Sequence, residues 1–269
     1  VRALKRFYAR IRGEIKIAPR RRSVARALQA HFGLPALPDL VLSGSRGHDS
    51  IYKASAEGRT IGMLRLVNPY RRRKTPAAEM PFVSVPENER AAREAAAYQA
   101  GAAAGLTPQP VWQDKDALCC AYLPLSPLHA VLTAQRDQAW RLVMATSAAL
   151  KRLHALGVVH ADASLANTLG DEALTQIVFV DFEYAPAPHI SASAARLYDY
   201  LRLLESTWKF MPENLKAESA PWLAFIAELS AAEGFSEADL TPLLPALPQL
   251  SSQTDLFTAL RRVLSGASA

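Results

Sequence analysis

The run Val159-His160-Ala161-Asp162-Ala163-Ser164-Leu165-Ala166-Asn167 has the form H-x-D-x-x-x-x-N, and fourteen residues later Asp181 closes the apolar stretch Ile177-Val178-Phe179-Val180. Two carboxylates and an amide at this spacing suit the transfer of a phosphoryl group to an alcohol. That reaction needs a carboxylate to accept or hydrogen-bond the alcohol proton, and Asp162 fits the role. It also needs Mg2+, which takes a few hard oxygen ligands and keeps some of its waters. The side-chain carbonyl of Asn167 and the carboxylate of Asp181 can supply two such oxygens, and a hairpin between them would bring both to one point. A carboxylate at a strand end projects from rigid backbone, which is how a site is held. His160 is read as loop support through hydrogen bonds, with no role in the chemistry.

The same residues resemble the catalytic loop and metal-binding Asp of the protein-kinase-like superfamily. Protein kinases usually carry Gly after Asp-Phe; here the run is Asp181-Phe182-Glu183-Tyr184. That form resembles choline/ethanolamine kinases and the wider aminoglycoside-phosphotransferase-like group, with lipopolysaccharide-sugar kinases and RIO-like atypical kinases as neighbours. The resemblance spans roughly residues 40–210 in order of elements, and its specific motifs cover 159–184. It implies ATP and Mg2+ as cofactors and an α+β, two-lobed kinase-like fold. The N-terminal lobe would be an antiparallel sheet with one main helix, and the C-terminal lobe mainly helical.

The resemblance also implies where ATP is held. Gly44-Ser45-Arg46-Gly47 looks like a degenerate glycine loop between two strands, whose backbone N–H groups can cradle phosphates. The third-strand Lys of the family falls at Arg65. Arginine keeps the charge, but its planar fork is not a point ammonium. Either Arg65 contacts the phosphates, or Lys53 on the preceding strand reaches in, or ATP binding is impaired. The helical Glu that partners this cation is expected at Glu94, with Glu87 and Glu89 as alternatives. The backbone near Ala121 and Leu123 would hydrogen-bond adenine. Asp199 would brace the catalytic loop from a following helix, with an exposed helical Asp as the plainer reading.

The elements that must position these residues follow from periodicity. Residues 1–12 set Leu4, Phe7, Tyr8 and Ile11 at helical spacing, and residues 23–32 form a second helix. Strands are expected at 40–43, 50–55, 61–67, 109–113 and 117–123, with a polar loop over 68–86 and a strong helix over 87–104, ended by Gly105. An amphipathic helix over 137–156 precedes the catalytic loop and stops at Gly157. Residues 158–169, a Gly170-Asp171 turn and residues 177–180 read as two short strands flanking a loop, and helices follow near 194–210, 220–233 and 253–264. The domain reading is a basic helical extension (1–39), an ATP-binding sheet lobe (40–124) and a catalytic lobe (125–269).

The 269 residues suffice for a core without disulfides, and half of them are apolar. Cys119 and Cys120 are adjacent in a strand and point to opposite faces, so they read as packing residues in a reducing compartment. No stretch approaches the ~20 apolar residues of a membrane span, and no signal-peptide core is visible, so the expectation is a cytoplasmic protein. Charge is uneven: residues 1–26 hold ten basic side chains against Glu14 alone, a local +9 in a chain of +6. A second cluster is Arg71-Arg72-Arg73-Lys74. Such clusters attract polyanions. The apolar stripe of residues 1–12 favours an anionic membrane surface at the inner face over nucleic acid, while packing of the stripe against the lobe is the plainer outcome.

Three functions stand at this stage. The first is a kinase for a hydroxyl of a small molecule or glycan, the second an atypical protein kinase, the third a pseudokinase binding module suggested by Arg65. Only 17 residues separate Asp181 from Asp199. That leaves little room for a regulated activation segment and favours the first over the second. Retention of Asp162, Asn167 and Asp181 favours either enzyme over the third.

Overall fold

The computed structural model describes residues 2–43, 49–71 and 75–266, with side chains given for Tyr8 and from Ile11 onward. Gly44, Gly47 and the Arg72–Lys74 cluster lie outside the described residues, as do the side chains of Leu4 and Phe7. The elements are α1 (Arg2–Phe32), β1 (Asp39–Leu42), β2 (Ser50–Ala56), β3 (Arg59–Leu66), β4 (Phe82–Ser84), α2 (Glu87–Ala102), β5 (Pro110–Asp114), β6 (Ala117–Cys120), β7 (Ser126–Pro127), α3 (Leu128–Ala134) and α4 (Ala139–Ala155). They continue with β8 (Thr168–Gly170), β9 (Ile177–Phe179), β10 (Tyr184–Pro186), α5 (Ala192–Trp208), α6 (Glu213–Lys216), α7 (Ala220–Glu233), α8 (Glu237–Leu240), α9 (Pro248–Ser251) and α10 (Thr254–Leu264). Two compact units are interleaved in sequence: the first takes residues 1–75, 85–103 and 108–124, the second 76–84, 104–107 and 125–269. No described helix is long and apolar enough to cross a membrane.

The first unit is a five-stranded antiparallel sheet in the order β1-β2-β3-β6-β5, with α1 and α2. Antiparallel partners share a face. The pairs Tyr52–Leu64 and Leu64–Cys119 therefore line one side, and Ile51–Arg65 and Arg65–Leu118 the other. The first side packs against Ile17, Val24 and Leu28 of α1 in one core cluster. Cys119 belongs to that core, and burial pushes both thiols up to about 12, as suits inert packing residues. Gly62 is required beside them, since a Cβ there would lie 2.7 Å from the Cys120 carbonyl oxygen.

Residues 1–12 and 23–32, expected as two helices, are parts of one 31-residue helix that runs through Pro19. A proline inside a helix removes a hydrogen bond and crowds the preceding turn, at a cost of about 3 kcal/mol. Tertiary contacts offset it. Ile17 and Val24, seven residues apart, reach the same sheet face only if the helix is unbroken. Arg20 next to the proline donates from Nε to both oxygens of Asp116, at 3.0 Å each, and from Nη2 to Asp114. Glu14 accepts from Ser50 Oγ, Tyr52 Oη and Arg71 Nη2, the last at 2.7 Å. The stretch read as an extension is thus the outer layer of the first unit.

In the second unit, β7, β8 and β9 form a small sheet, and β4 pairs with β10. The β4–β10 ladder replaces part of the expected loop over 68–86. Each strand is three residues long, and its partner lies about a hundred residues away, so no local pattern announces it. α5 runs through the helical layer with Leu197, Tyr200, Leu201, Leu203 and Leu204 fully buried. Glu205 on α5 accepts the N–H groups of Gln249 and Leu250 at 3.0 and 2.9 Å. The expected helices over 194–210, 220–233 and 253–264 match α5, α7 and α10 to within two residues.

Burial works against the charged Glu14 carboxylate, but the bonds from Ser50 and Tyr52 and the Arg71 charge outweigh it and hold its pKa below the ordinary glutamate value. A depressed folded-state pKa adds stability above the unfolded-state pKa, and that stability is lost as pH falls through the folded one. Glu14→Gln should therefore cost about 1–3 kcal/mol at neutral pH by urea unfolding. The difference from the unsubstituted protein should shrink as the pH is lowered below the usual glutamate range.

Candidate active site

The residues of the candidate catalytic loop are positioned by the ends of three elements of the second unit. α4 stops at Gly157, which takes the left-handed conformation (φ 75°) and donates its N–H to the His154 carbonyl at 2.9 Å. The chain then crosses to β8 through residues 158–167. The β8–β9 hairpin pairs Thr168 with Phe179. One step further, the Val180 N–H donates to the Asn167 carbonyl at 2.9 Å. Asn167 therefore sits opposite Val180, and Asp181 is the next residue along.

Asp199 on α5 fixes the start of this loop. Its carboxylate is fully buried and accepts the backbone N–H groups of His160 and Ala161, at 2.8 Å each, and a hydrogen bond from His154 Nε2 at 2.9 Å. The exposed-helical-Asp reading is thereby set aside. Ala161 lies in the left-handed region (φ 64°), where a side chain costs roughly 1–2 kcal/mol. The two N–H bonds to Asp199 hold it there. His160 is also fully buried: its Nε2 donates to the Val180 carbonyl at 3.0 Å, and its Nδ1 accepts the Asp162 N–H at 3.3 Å. Those two bonds together select the neutral tautomer with the proton on Nε2. The ring stacks on buried Phe182, centroids 4.4 Å apart. His160 ties loop to strand and has no free nitrogen for chemistry.

Asp162 is held at both oxygens. Arg202 Nε donates to Oδ1 at 2.7 Å and Asn167 Nδ2 to Oδ2 at 2.8 Å. Burial raises the Asp162 pKa above the usual aspartate value and the Asp181 carboxylate adds to the rise, while the Arg202 charge and hydrogen bond oppose it. With its amide nitrogen committed to Asp162, Asn167 offers its carbonyl oxygen as the atom for a cation. Asp181 also takes the left-handed conformation (φ 70°), a position that Asp and Asn tolerate better than other side chains.

In the first unit, Arg65 Nε pairs with Glu94 at 2.7 Å and Arg65 Nη1 with Asp49 at 3.2 Å. Buried Arg90 pairs with the other oxygen of Asp49 at 2.7 Å, and Tyr98 Oη donates to Glu94 at 2.6 Å. Glu87 and Glu89, the alternatives to Glu94, are exposed in the first turn of α2. The Lys53 ammonium lies 5.0 Å from the ring centroid of Tyr122. Ala121 and Leu123 flank that tyrosine after β6, and the Ala121 N–H is committed to the Gln109 carbonyl at 2.8 Å.

Sequence reasoning missed Arg202, His154, Asp49 and Arg90. Arg202 had a signal: it stands three residues after Asp199 on the same helix, the spacing at which side chains share a face. Asp49 and Arg90 had none, because their meeting depends on how α2 lies on the sheet.

No protein-family model matches the chain, and no curated protein matches it in sequence. Solved structures do. The Rio2 kinase–ADP/Mg2+–phosphoaspartate complex from Chaetomium thermophilum superposes with a TM-score of 0.50 at 15% identity, covering 85% of this chain and 75% of that one. The PknI kinase domain from Mycobacterium tuberculosis gives 0.43 at 16% identity, covering 64% and 73%. WaaP in complex with acyl carrier protein gives 0.43 at 14% identity, covering 76% and 91%. At 15% identity the likeness is one of fold alone: the chain shares the α+β fold of the Rio2 kinase structure.

Asp199→Asn would turn one N–H donor of its amide toward backbone N–H groups that need acceptors. It should destabilise the protein by about 2–4 kcal/mol in urea unfolding, because a buried hydrogen-bond network is broken and polar groups are left unsatisfied.

Proposed function

We propose that this chain, on its protein-kinase-like fold, is an ATP- and Mg2+-dependent phosphotransferase that moves the γ-phosphoryl group to a hydroxyl of a small molecule or glycan. The observation that carries the reading is the constellation at the β8–β9 hairpin: Asp162 oriented at both oxygens, and Asn167 beside Val180 with Asp181 next in the chain.

The donor set fits a hard divalent cation. Asn167 and Asp181 offer one amide oxygen and one carboxylate, and no cluster of three or more His, Cys, Asp or Glu side chains competes among the described residues. The remaining ligands would be triphosphate oxygens and water, as Mg2+ prefers. Bound there, the ion would neutralise charge on the phosphate oxygens. Asp162 would accept the hydrogen bond, and then the proton, of the acceptor hydroxyl. Arg202 keeps that carboxylate available as the anion despite burial, and Asn167 Nδ2 fixes its direction. Arg65, steadied by Glu94, supplies the cation for the triphosphate, with Ala121 and Leu123 as candidates for adenine contacts and Gly44 and Gly47 for phosphate contacts. The short connection from Asp181 to α5, tied into the β4–β10 ladder, supports a small acceptor over a protein substrate.

A second reading is a RIO-like protein kinase, favoured because the Rio2 complex reaches a TM-score of 0.50. It separates cleanly in one assay. Incubation with ATP and Mg2+ alone would leave a hydroxylamine-labile phosphate on the chain if the phosphoaspartate in that complex has a counterpart here. A glycan kinase would instead release ADP only when an acceptor hydroxyl is supplied.

ADP release against a panel of alcohols, aminoglycosides and core sugars tests the main reading. Asp181→Asn keeps a side chain suited to the left-handed backbone, so the melting temperature should hold while Mg2+-dependent turnover is lost. Asp162→Asn should lower turnover by about two to four orders of magnitude with nucleotide binding retained. Turnover like that of the unsubstituted protein in folded Asp181→Asn defeats the assignment. No ATP binding by calorimetry would favour the pseudokinase reading.

The pH profile is a separate check. Asp162 acts as the anion, so kcat/KM should fall on the acid side as it protonates. Arg202→Gln removes the charge that lowers its pKa, and the acid limb should move to higher pH.

A further inference from the structure

α1 meets the sheet with one face only. Ile17, Val24 and Leu28 enter the core, whereas Tyr8, Ile11 and Ile15 are 64, 40 and 68% exposed. Seven-residue steps from Tyr8 to Ile15 to Arg22 set these side chains in a single stripe along the side away from the sheet. Arg26 continues the stripe and Arg12 flanks it, all three arginines being exposed. The stripe runs about 27 Å from Tyr8 to Arg26 at the helical rise.

The one acid of α1 is absent from this face. Glu14 turns inward, where Ser50, Tyr52 and Arg71 take up its carboxylate. Arg20 and Arg21 are likewise engaged on the sheet side, Arg20 with Asp114 and Asp116 and Arg21 over the Tyr52 ring. Among the described residues no carboxylate pairs with Arg12, Arg22 or Arg26. The helix therefore separates its functions: charge neutralised inside, and outside an aromatic and two β-branched side chains set among uncompensated guanidinium groups.

We propose that this face docks α1 flat on an anionic lipid bilayer, with Tyr8, Ile11 and Ile15 at the boundary between headgroups and acyl chains and Arg12, Arg22 and Arg26 on lipid phosphates. Isolated apolar side chains on a surface are ordinary, but a continuous stripe rimmed by one sign of charge marks an interaction surface. A polynucleotide would match the charge but makes no use of branched aliphatic side chains. A second copy of the chain would set like charges against each other. The anionic bilayer answers both features at once. The proposal is independent of phosphotransfer, because docking needs neither nucleotide nor acceptor.

The test is flotation of the full chain with vesicles of phosphatidylcholine alone and of equal parts phosphatidylcholine and phosphatidylglycerol. Binding is expected to the second and not the first, weakening as salt is raised. Each basic side chain near such a surface is worth about a fivefold change in partition, so the Arg22→Gln/Arg26→Gln double variant should lose roughly twenty-five-fold. Ile15→Ser leaves the charge unchanged and should lose about tenfold. Both variants change exposed positions and should melt with the unsubstituted protein. Absence of flotation at low salt overturns the proposal, as does flotation indifferent to Ile15→Ser. Tighter binding to a polynucleotide that ignores Ile15→Ser would assign the face to nucleic acid. A dimer in sedimentation that Ile15→Ser dissociates without lipid would assign it to a second copy.

Discussion

Three N–H groups converge on the buried carboxylate of Asp199, and the candidate site depends on that convergence. The bonds from His160 and Ala161 hold the backbone in a conformation that alanine resists. With that turn fixed, His160 can reach the Val180 carbonyl, and the candidate catalytic loop is tied to the segment that leads from β9 to Asp181. α5 then adds Arg202 one turn beyond Asp199, against Asp162. One helix thus sets the backbone of the loop at one position and the charge of its carboxylate at the next. The buried anion is tolerated because every partner donates to it, the condition under which burying a charge is affordable.

The first unit solves a related problem with two cations and two anions. Arg65 and Arg90 share Asp49, and Arg65 also holds Glu94. A guanidinium can serve two carboxylates at once because its donors fan out in a plane; an ammonium is a compact point charge. The arginine at position 65, which reads in sequence as a departure from the kinase pattern, fits a site that asks its cation to bridge two acids.

Parts of this were legible in the sequence because they are local. The spacing from His160 to Asn167, the apolar run before Asp181 and the helices on either side are patterns within one stretch of chain. The pairing of Arg65 with Glu94 was also named, though only through resemblance. What escaped depends on meetings between distant segments. The β4–β10 ladder joins two three-residue strands, one ending in a proline, whose composition reads as loop. The unbroken α1 is a tertiary override: a proline disfavours a helix interior, and the sheet face that needs both Ile17 and Val24 keeps the helix continuous through Pro19. Arg202 fell between the two cases, visible once Asp199 was placed and a helix was expected there.

The outer layer supplied by α1 has a consequence for the order in which the protein forms. The helix precedes β6, the strand over 117–120 that completes its core cluster, and Arg20 waits for Asp116 across 96 residues of chain. Contacts so far apart in sequence close late. During synthesis, at about 5–20 residues per second, the face of α1 formed by Ile17, Val24 and Leu28 therefore spends several seconds without its sheet. In that interval the helix carries two uncovered apolar faces, and the like charge of the arginines along it works against association through them. The charge along α1 thus opposes self-association of the unfinished chain until the sheet covers the inner face of the helix.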